Sequence, residues 1–472
     1  MKKIPYNKVR KIEASEVGKL KINCPIYRDG RVFSASISVV LPTFNKKSKT
    51  YNKVLANMVR NIGELIDKGV VDELLIVDSS SKKGKPDPDF MAFLLAVCKK
   101  SCKTFSKEVD FLKSVPEGKQ KAVQGRFDFS VKFVSQLDPR LQNLLLMHGI
   151  FNKEKIDEIK KGMGAALWLS VPMTHGKIMC FLDSDIKSFD ESYVLGLCKP
   201  LLDTWFCDKK TSEIKPGILW TKASYVRRKT GEKGKYRLGG RVTRLVAGPI
   251  IRILSKNGAF KDMEKLKYPL SSEFAFTKDE LKGIKFSNGH DIETSMLCQA
   301  WKNFGTKSIA EVDLGVYSHI SDTEDYARAK AREVVMGLLY WARRYGMLEK
   351  VNLDDLHKEY EKTAKGLLNE YKNAAEKTPN FEYTETDRKT DIERIKDYSG
   401  IIAMVADELE KHEPELLPSW DDVAKLVDKE EGYSYHTMKN ALRDLINDFT
   451  TAVVFSQIYI DRSGKIMESY TK

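Results

Sequence analysis

Asp183-Ser184-Asp185 offers two carboxylates one residue apart, directly after the apolar run Ile178-Met179-Cys180-Phe181-Leu182, which reads as a buried strand. Carboxylates at such a place suit a hard divalent cation, Mg2+ or Mn2+, which takes oxygen ligands and shares them with substrate phosphates. Open α/β sheets bind their ligands beyond the carboxyl ends of the strands. An isolated Asp-x-Asp is more often a solvated turn, so its companions in the sequence decide its meaning.

Two other strand ends carry related chemistry. Ile37-Ser38-Val39-Val40-Leu41 reads as a buried strand leading into Pro42-Thr43-Phe44-Asn45. Glu73-Leu74-Leu75-Ile76-Val77 reads as a second and ends in Asp78-Ser79-Ser80-Ser81. Between them, Val54, Leu55, Met58, Ile62 and Leu65 recur at helical spacing. Strand, helix and strand at this spacing form a βαβ unit, so a parallel sheet is expected and the three strand ends share one edge. There Asp78 can accept hydrogen bonds from a base or ribose, and Asp185 can hold a metal that neutralises a diphosphate. Each turn alone is ordinary, because Asp, Ser, Pro and Asn favour such positions. Together they favour a nucleotide site.

The elements needed to position these residues fit the chain. Its 472 residues, 42% hydrophobic, suffice for two or three domains. The longest uncharged stretch, 162–176, is too short to span a bilayer. No apolar segment follows the initial Met-Lys-Lys, so no signal peptide is expected. Seven scattered cysteines form no Cys-x-x-Cys pair, which fits reduced thiols in a cytoplasm. The net charge of +14 suits anionic partners. Arg227, Arg228, Lys229, Lys233, Lys235 and Arg237 crowd together, but only Tyr225 and Tyr236 interleave, too few for a nucleic-acid groove.

Residues 1–35 read as an N-terminal arm, and 36–325 as the α/β domain, with an acceptor region over about 225–325. Inside that domain, 89–160 reads as mostly helical, with about 89–150 as a long helical insert. Further strands are expected at 217–223, 271–277 and 308–316, and helices at 164–171, 240–254 and 290–304. Residues 326–472 read as a mainly helical C-terminal domain closed by a strand at 452–460, able to pack on the α/β domain or to form a homodimer.

The arrangement resembles the GT-A fold, the Rossmann-like fold of nucleotide-diphospho-sugar transferases. Downstream residues sharpen the resemblance. Gly239-Gly240-Arg241-Val242-Thr243-Arg244-Leu245-Val246-Ala247-Gly248-Pro249 is similar to the acceptor-binding signature of glucosyl-3-phosphoglycerate synthases. Val71 to Ser79, Ala166-Leu167-Trp168, Pro269 to Ala275, and Val312 to Val316 followed by His319 match the same family in order, over about residues 36–322. The resemblance implies a donor site from Pro42, Thr43, Phe44, Asn45, Asp78, Ser79, Lys161, Gly164, Asp183 and Ser184. It implies an acceptor site from Gly239, Gly240, Arg241, Val242, Thr243, Glu273 and Asp291. Asp185 and His319 would ligate the metal. Glu293, in Gly289-His290-Asp291-Ile292-Glu293, matches an active-site glutamate, so Glu293, Asp185 and Arg241 are the expected catalytic set. Asp291 is an equally reachable carboxylate. Met163 stands where the family carries a lysine, with Lys161 nearby as a substitute.

Physical chemistry agrees with this assignment. Two glycines before a helix let backbone N–H groups approach an anion. Arg241 can grip a phosphate through two hydrogen bonds, and Thr243 adds a hydroxyl donor. The expectation is a retaining, metal-dependent hexosyltransferase acting on the 2-hydroxyl of 3-phosphoglycerate, in compatible-solute synthesis. UDP-glucose is the favoured donor and GDP-mannose the second. A GT-A enzyme with another acceptor and a catalytically silent nucleotide-sugar-binding protein are the alternatives. Neither a nucleic-acid partner nor a membrane span is expected.

Overall fold

The computed structural model describes residues 1–22, 35–116, 119, 127–207, 214–230, 235–320, 324–411, 414–429 and 434–463. The chain divides into two compact units, each assembled from separate stretches of sequence. The first comprises Arg10–Trp220, Glu273–Gly283 and Pro418–Lys472, and the second Met1–Val9, Thr221–Ser272 and Ile284–Leu417.

The first unit is built on five strands: β1 (Ile37–Thr43), β2 (Glu73–Asp78), β3 (Val131–Ser135), β4 (Ile178–Phe181) and β5 (Phe274–Thr277). They lie in the order β3-β2-β1-β4-β5. The first four are parallel and β5 runs antiparallel to β4. Every residue of β2, β3 and β4 is buried, as a sheet covered on both faces requires. Strand order reverses between β1 and β4, so the crevice beyond their carboxyl ends is a topological switch point. The mixed α/β architecture with a central parallel sheet is therefore as expected.

Helix α1 (Lys49–Asp67) follows β1 and starts at Ser48, whose hydroxyl accepts from the Tyr51 N–H at 3.4 Å. Its buried face carries Tyr51, Leu55, Met58, Ile62 and Leu65, spaced to lie over the sheet. Helix α2 (Met163–Met173) is buried along its length after Met163. Trp420 stacks on its Trp168 with ring centroids 4.3 Å apart. The two indoles also exchange backbone contacts: Trp168 Nε1 donates to the Pro418 carbonyl and Trp420 Nε1 to the Trp168 carbonyl, both at 2.7 Å. Such a pair adds about 1 kcal/mol beyond its burial.

Two expectations need correction. The insert is not wholly helical, because β3 lies within it and completes the sheet beside β2. Lys132 interrupts the apolar pattern of β3; it is nevertheless buried, held at 2.7 Å from Glu73 and 2.6 Å from Asp128. The strand expected at 452–460 belongs instead to the terminal helix Tyr435–Ser463. Its β-branched Thr450, Thr451, Val453 and Val454 are buried. Thr450 Oγ1 accepts from the Phe133 N–H at 2.9 Å, so the helix covers the outer strand of the sheet. Tertiary packing overrides β propensity here.

In the second unit, strand Lys2–Ile4 pairs parallel with Ile309–Tyr317, giving the N-terminal arm a place in a sheet. Strand Trp220–Thr230 forms a hairpin with Tyr236–Leu238, which also pairs with Phe381–Glu382. The basic stretch is thus mostly a hairpin; Lys233 lies outside the described residues. Helices α3 (Ile292–Phe304) and α4 (Glu324–Arg344) pack together, followed by helices Leu356–Glu376 and Glu385–Glu408.

Candidate functional site

At the carboxyl edge of the first unit, strand register brings the predicted residues together. Thr43 faces Asp78 across β1 and β2, and Asp78 faces Ser135 across β2 and β3. Asp78 is fully buried. It accepts from Thr43 Oγ1 at 2.8 Å, Ser80 Oγ at 2.7 Å and the Ser80 N–H at 2.9 Å. Burial pushes its carboxyl up to about 6 despite those donors. These contacts make Asp78 the post that ties the two strand-end loops. The Asn45 N–H donates to Ser80 Oγ at 2.7 Å, and Asn45 Nδ2 reaches Asp87 at 3.1 Å. Ser79 donates its N–H to the Thr43 carbonyl at 3.0 Å. Phe44 projects from this frame, 54% exposed, as an aromatic face beside the loop.

Asp183 and Ser184 are half-buried and Asp185 is buried at the end of β4. Lys46, from the β1 loop, places Nζ 2.7 Å from Asp185 Oδ2. Tyr51 reaches the same turn, its hydroxyl 3.0 Å from Ser184 Oγ. Burial holds that phenol up at about 12, so it stays protonated. The Asp-Ser-Asp turn is therefore clamped from the β1 loop and α1, across the switch point. Gly164 is buried near the start of α2, Met163 is half-buried and Lys161 is exposed. Lys46 and Tyr51 lay outside the predicted set; only their proximity to Pro42-Thr43-Phe44-Asn45 in sequence could have marked them.

The second unit holds the glycine loop. Gly240 has φ +66, a conformation that favours glycine, and a Cβ there would meet the Tyr268 hydroxyl at 2.7 Å. A Cβ on Gly239 would press on Arg227 at 3.2 Å. The chain beyond the loop is helical, with a π-helical turn over Thr243–Ala247 before the α-helix Gly248–Lys256. Such turns recur at functional sites. Val242 and Thr243 are buried, while Arg241 keeps a partly exposed side chain with Nε 3.4 Å from Glu324. Arg244 is structural: it donates to the Gly239 carbonyl at 2.9 Å and pairs with buried Asp391 at 3.0 Å.

Arg227 sits behind this loop. Its guanidinium lies over the Tyr317 ring at 5.5 Å and faces both ring nitrogens of His319. Arg237 is held by Asp387 and Glu382, and Arg228 lies over Tyr236, so these hairpin cations serve packing as well as field.

Glu293 lies in the first turn of α3, 3% exposed. Its Oε1 accepts from Ser272 Oγ at 2.7 Å and Lys330 Nζ at 3.2 Å. Its Oε2 is buried without a hydrogen-bond partner. Burial raises the Glu293 carboxyl, but Lys330 and Ser272 outweigh it and hold the group below its usual value. Asp291 differs in kind: burial pushes it up to about 6, it accepts from Ser287 Oγ, and Gly337 of α4 closes against it. His290 is bound through its N–H and ring to Glu333. Glu273, in the first unit, is fully buried at the start of β5. Lys330 and Glu333 come from α4, and no sequence signal distinguishes them from other charged residues of that helix.

Among the described residues, no group of three or more His, Cys, Asp or Glu side chains could enclose a metal. Asp185 and His319 belong to different units. The residues present fit a divalent cation of the kind that shares its shell with phosphates: one buried carboxylate whose charge a cation already balances. Among the described residues, Cys98, Cys102, Cys180, Cys198 and Cys298 are free and buried. Among the described residues, no helix is long and apolar enough to cross a membrane.

No protein-family model matches the chain. It is similar to glucosyl-3-phosphoglycerate synthase of Mycobacterium tuberculosis, 27% identical over 315 residues, covering 64% of this chain and 72% of that protein. The enzyme of the same name from Petrotoga mobilis is 31% identical over 199 residues, covering 42% of this chain and 56% of its own. A crystal structure of the M. tuberculosis synthase in complex with phosphoglyceric acid superposes with a TM-score of 0.47 at 24% identity, covering 72% of this chain and 87% of that one.

Proposed function

We propose that this protein is a retaining, metal-dependent glycosyltransferase that moves glucose from a nucleoside diphosphate sugar, UDP-glucose first, to the 2-hydroxyl of 3-phosphoglycerate. The observation that carries this reading is the Asp183-Ser184-Asp185 turn at the β1/β4 switch point, framed by the loops after β1 and β2. The glucosyl group and the acceptor are supported by the names of the similar enzymes.

In this reading Pro42 to Asn45 and Asp78-Ser79 shape the nucleotide pocket, with Phe44 as the aromatic face for the base. Asp183 and Ser184 serve the ribose or shape the turn, and Lys161 and Gly164 border the donor. Asp185 and His319 are the residues that would hold Mg2+ or Mn2+, which would supply Lewis-acid screening of the departing diphosphate. Gly239, Gly240, Arg241, Val242 and Thr243 bind the acceptor's phosphate or carboxylate, Arg241 through charge-assisted hydrogen bonds. Glu273 and Asp291 line the acceptor side. Glu293, kept ionised beside Lys330, turns its buried Oε2 to the acceptor hydroxyl or to positive charge developing on the sugar.

The test is incubation of the purified protein with 3-phosphoglycerate and UDP-glucose or GDP-mannose, with and without Mg2+ or Mn2+, reading phosphorylated glycosides by mass spectrometry. A metal-dependent glucosyl product from UDP-glucose is expected. Product from neither donor would leave a silent binding protein, and full turnover after chelation would remove the metal from the mechanism.

A further inference from the structure

We propose that Lys46 exchanges places with the divalent cation at Asp185. Before metal binds, its ammonium neutralises the carboxylate; when metal takes the carboxylate, Lys46 turns to the donor diphosphate. This rests on the glycosyltransferase reading and gives a role to a residue outside the expected donor and metal sets.

The two partners are unequal. The Asp185 side chain is 11% exposed and that of Lys46 is 39% exposed. The carboxylate is fixed in the protein, whereas the ammonium rides on a flexible four-carbon stem at the surface. The stem's base is fixed as well. Asn45 is bound to Ser80 and Asp87, and its Oδ1 accepts from the Lys47 N–H at 2.9 Å. Lys47 itself takes φ 48. Lys46 therefore swings from an anchored loop while its backbone stays in place.

Charge dictates the exchange. A divalent ion on Asp185 Oδ2 would stand in contact with an ammonium now 2.7 Å from that oxygen, and like charges at such separation repel. The lysine must leave. The departing ammonium keeps the Tyr51 ring, 5.5 Å from Nζ, as one neighbour. It stays at the mouth of the β1/β4 crevice, where the phosphates of a bound nucleotide carry negative charge. An anion there meets a cation already desolvated in part, and the metal and the lysine neutralise it from two directions.

The experiment uses the full-length protein, Lys46→Met and Lys46→Arg. Free Mn2+ affinity is read by electron paramagnetic resonance and UDP affinity in saturating Mn2+ by calorimetry. Lys46→Met should bind free Mn2+ about three- to fivefold more tightly, since a competing, partly exposed ion pair is gone. It should bind UDP about tenfold more weakly, while Lys46→Arg stays near wild type in both. An unchanged Mn2+ constant in Lys46→Met overturns the exchange, and an unchanged UDP constant overturns the diphosphate contact. Wild-type protein that binds neither Mn2+ nor UDP sinks the glycosyltransferase reading itself; wild type that binds both leaves only Lys46 at stake.

Discussion

At the sheet edge, Thr43, Asp78 and Ser135 sit side by side because their strands are in register, and the Asp183 turn ends a strand next to β1. At the glycine loop, nothing local brings the parts together. Arg227 comes from one hairpin strand, Tyr268 from a loop, His319 from beyond a distant strand and Glu324 from α4. Glu293 likewise depends on Ser272 and on Lys330, 37 residues away. The first region is a property of topology and the second of side-chain packing. The difference teaches that strand register is enough to place the edge residues, while the loop and Glu293 are tuned by groups that touch neither ligand in this reading.

The largest test of that contrast is Asp185→Asn. Losing the charge proposed to bind the metal should lower kcat by about a thousandfold, with Mn2+ binding weakened in parallel, read by steady-state kinetics and metal titration. A loss under tenfold would take Asp185 out of the centre of the edge. Next is Arg241→Ala, which should raise the KM for 3-phosphoglycerate about tenfold or more while leaving the donor KM near wild type. A rise in donor KM alone would reverse the division of labour between the two regions.

Lys330→Met probes tuning from a distance. In the folded protein burial would raise the Glu293 carboxyl, but Lys330 above all holds it below the usual glutamate value. Removing the ammonium leaves burial opposed mainly by the Ser272 hydroxyl, so the carboxyl rises and the acid limb of kcat/KM moves to higher pH. Activity near pH 8 should change little, and Lys330→Arg should restore the limb. The same depression means that Glu293 contributes stability above pH about 4.5, lost as pH falls through its lower native value. The wild-type acid limb in Lys330→Met would show that Glu293 carries no such dependence.

The effect read on stability rather than on turnover belongs to Asp78→Asn. Asp78 is raised from 3.8 to about 6, so between those values the native state holds a proton that the unfolded chain has released. Its contribution to stability therefore falls as pH rises through that window and is flat above it. The destabilisation by Asp78→Asn should be larger at pH 4 than at pH 7, by about 2 kcal/mol, measured by urea unfolding. Equal losses at both pH values would mean Asp78 does not titrate in this window.

The edge was legible because apolar runs mark buried strands and their ends mark ligand sites. Pro42-Thr43-Phe44-Asn45, Asp78-Ser79 and Asp183-Ser184-Asp185 could all be placed from pattern alone. The strand at 131–135 was not legible, because Lys132 breaks the run and its neutralising partner Glu73 lies 59 residues earlier. The terminal helix misled in the opposite sense, since its β-branched residues are chosen for packing on β3.

What the sequence by itself determined is the βαβ order and the place of Thr43, Asp78 and Asp185 at strand ends, because strand periodicity and turn residues act over a few positions. Tertiary structure alone decided that Asp78 is a buried post, that Lys46 balances Asp185 and that Lys330 keeps Glu293 charged. Ionisation and burial depend on neighbours brought from far along the chain, and no local pattern encodes their arrival.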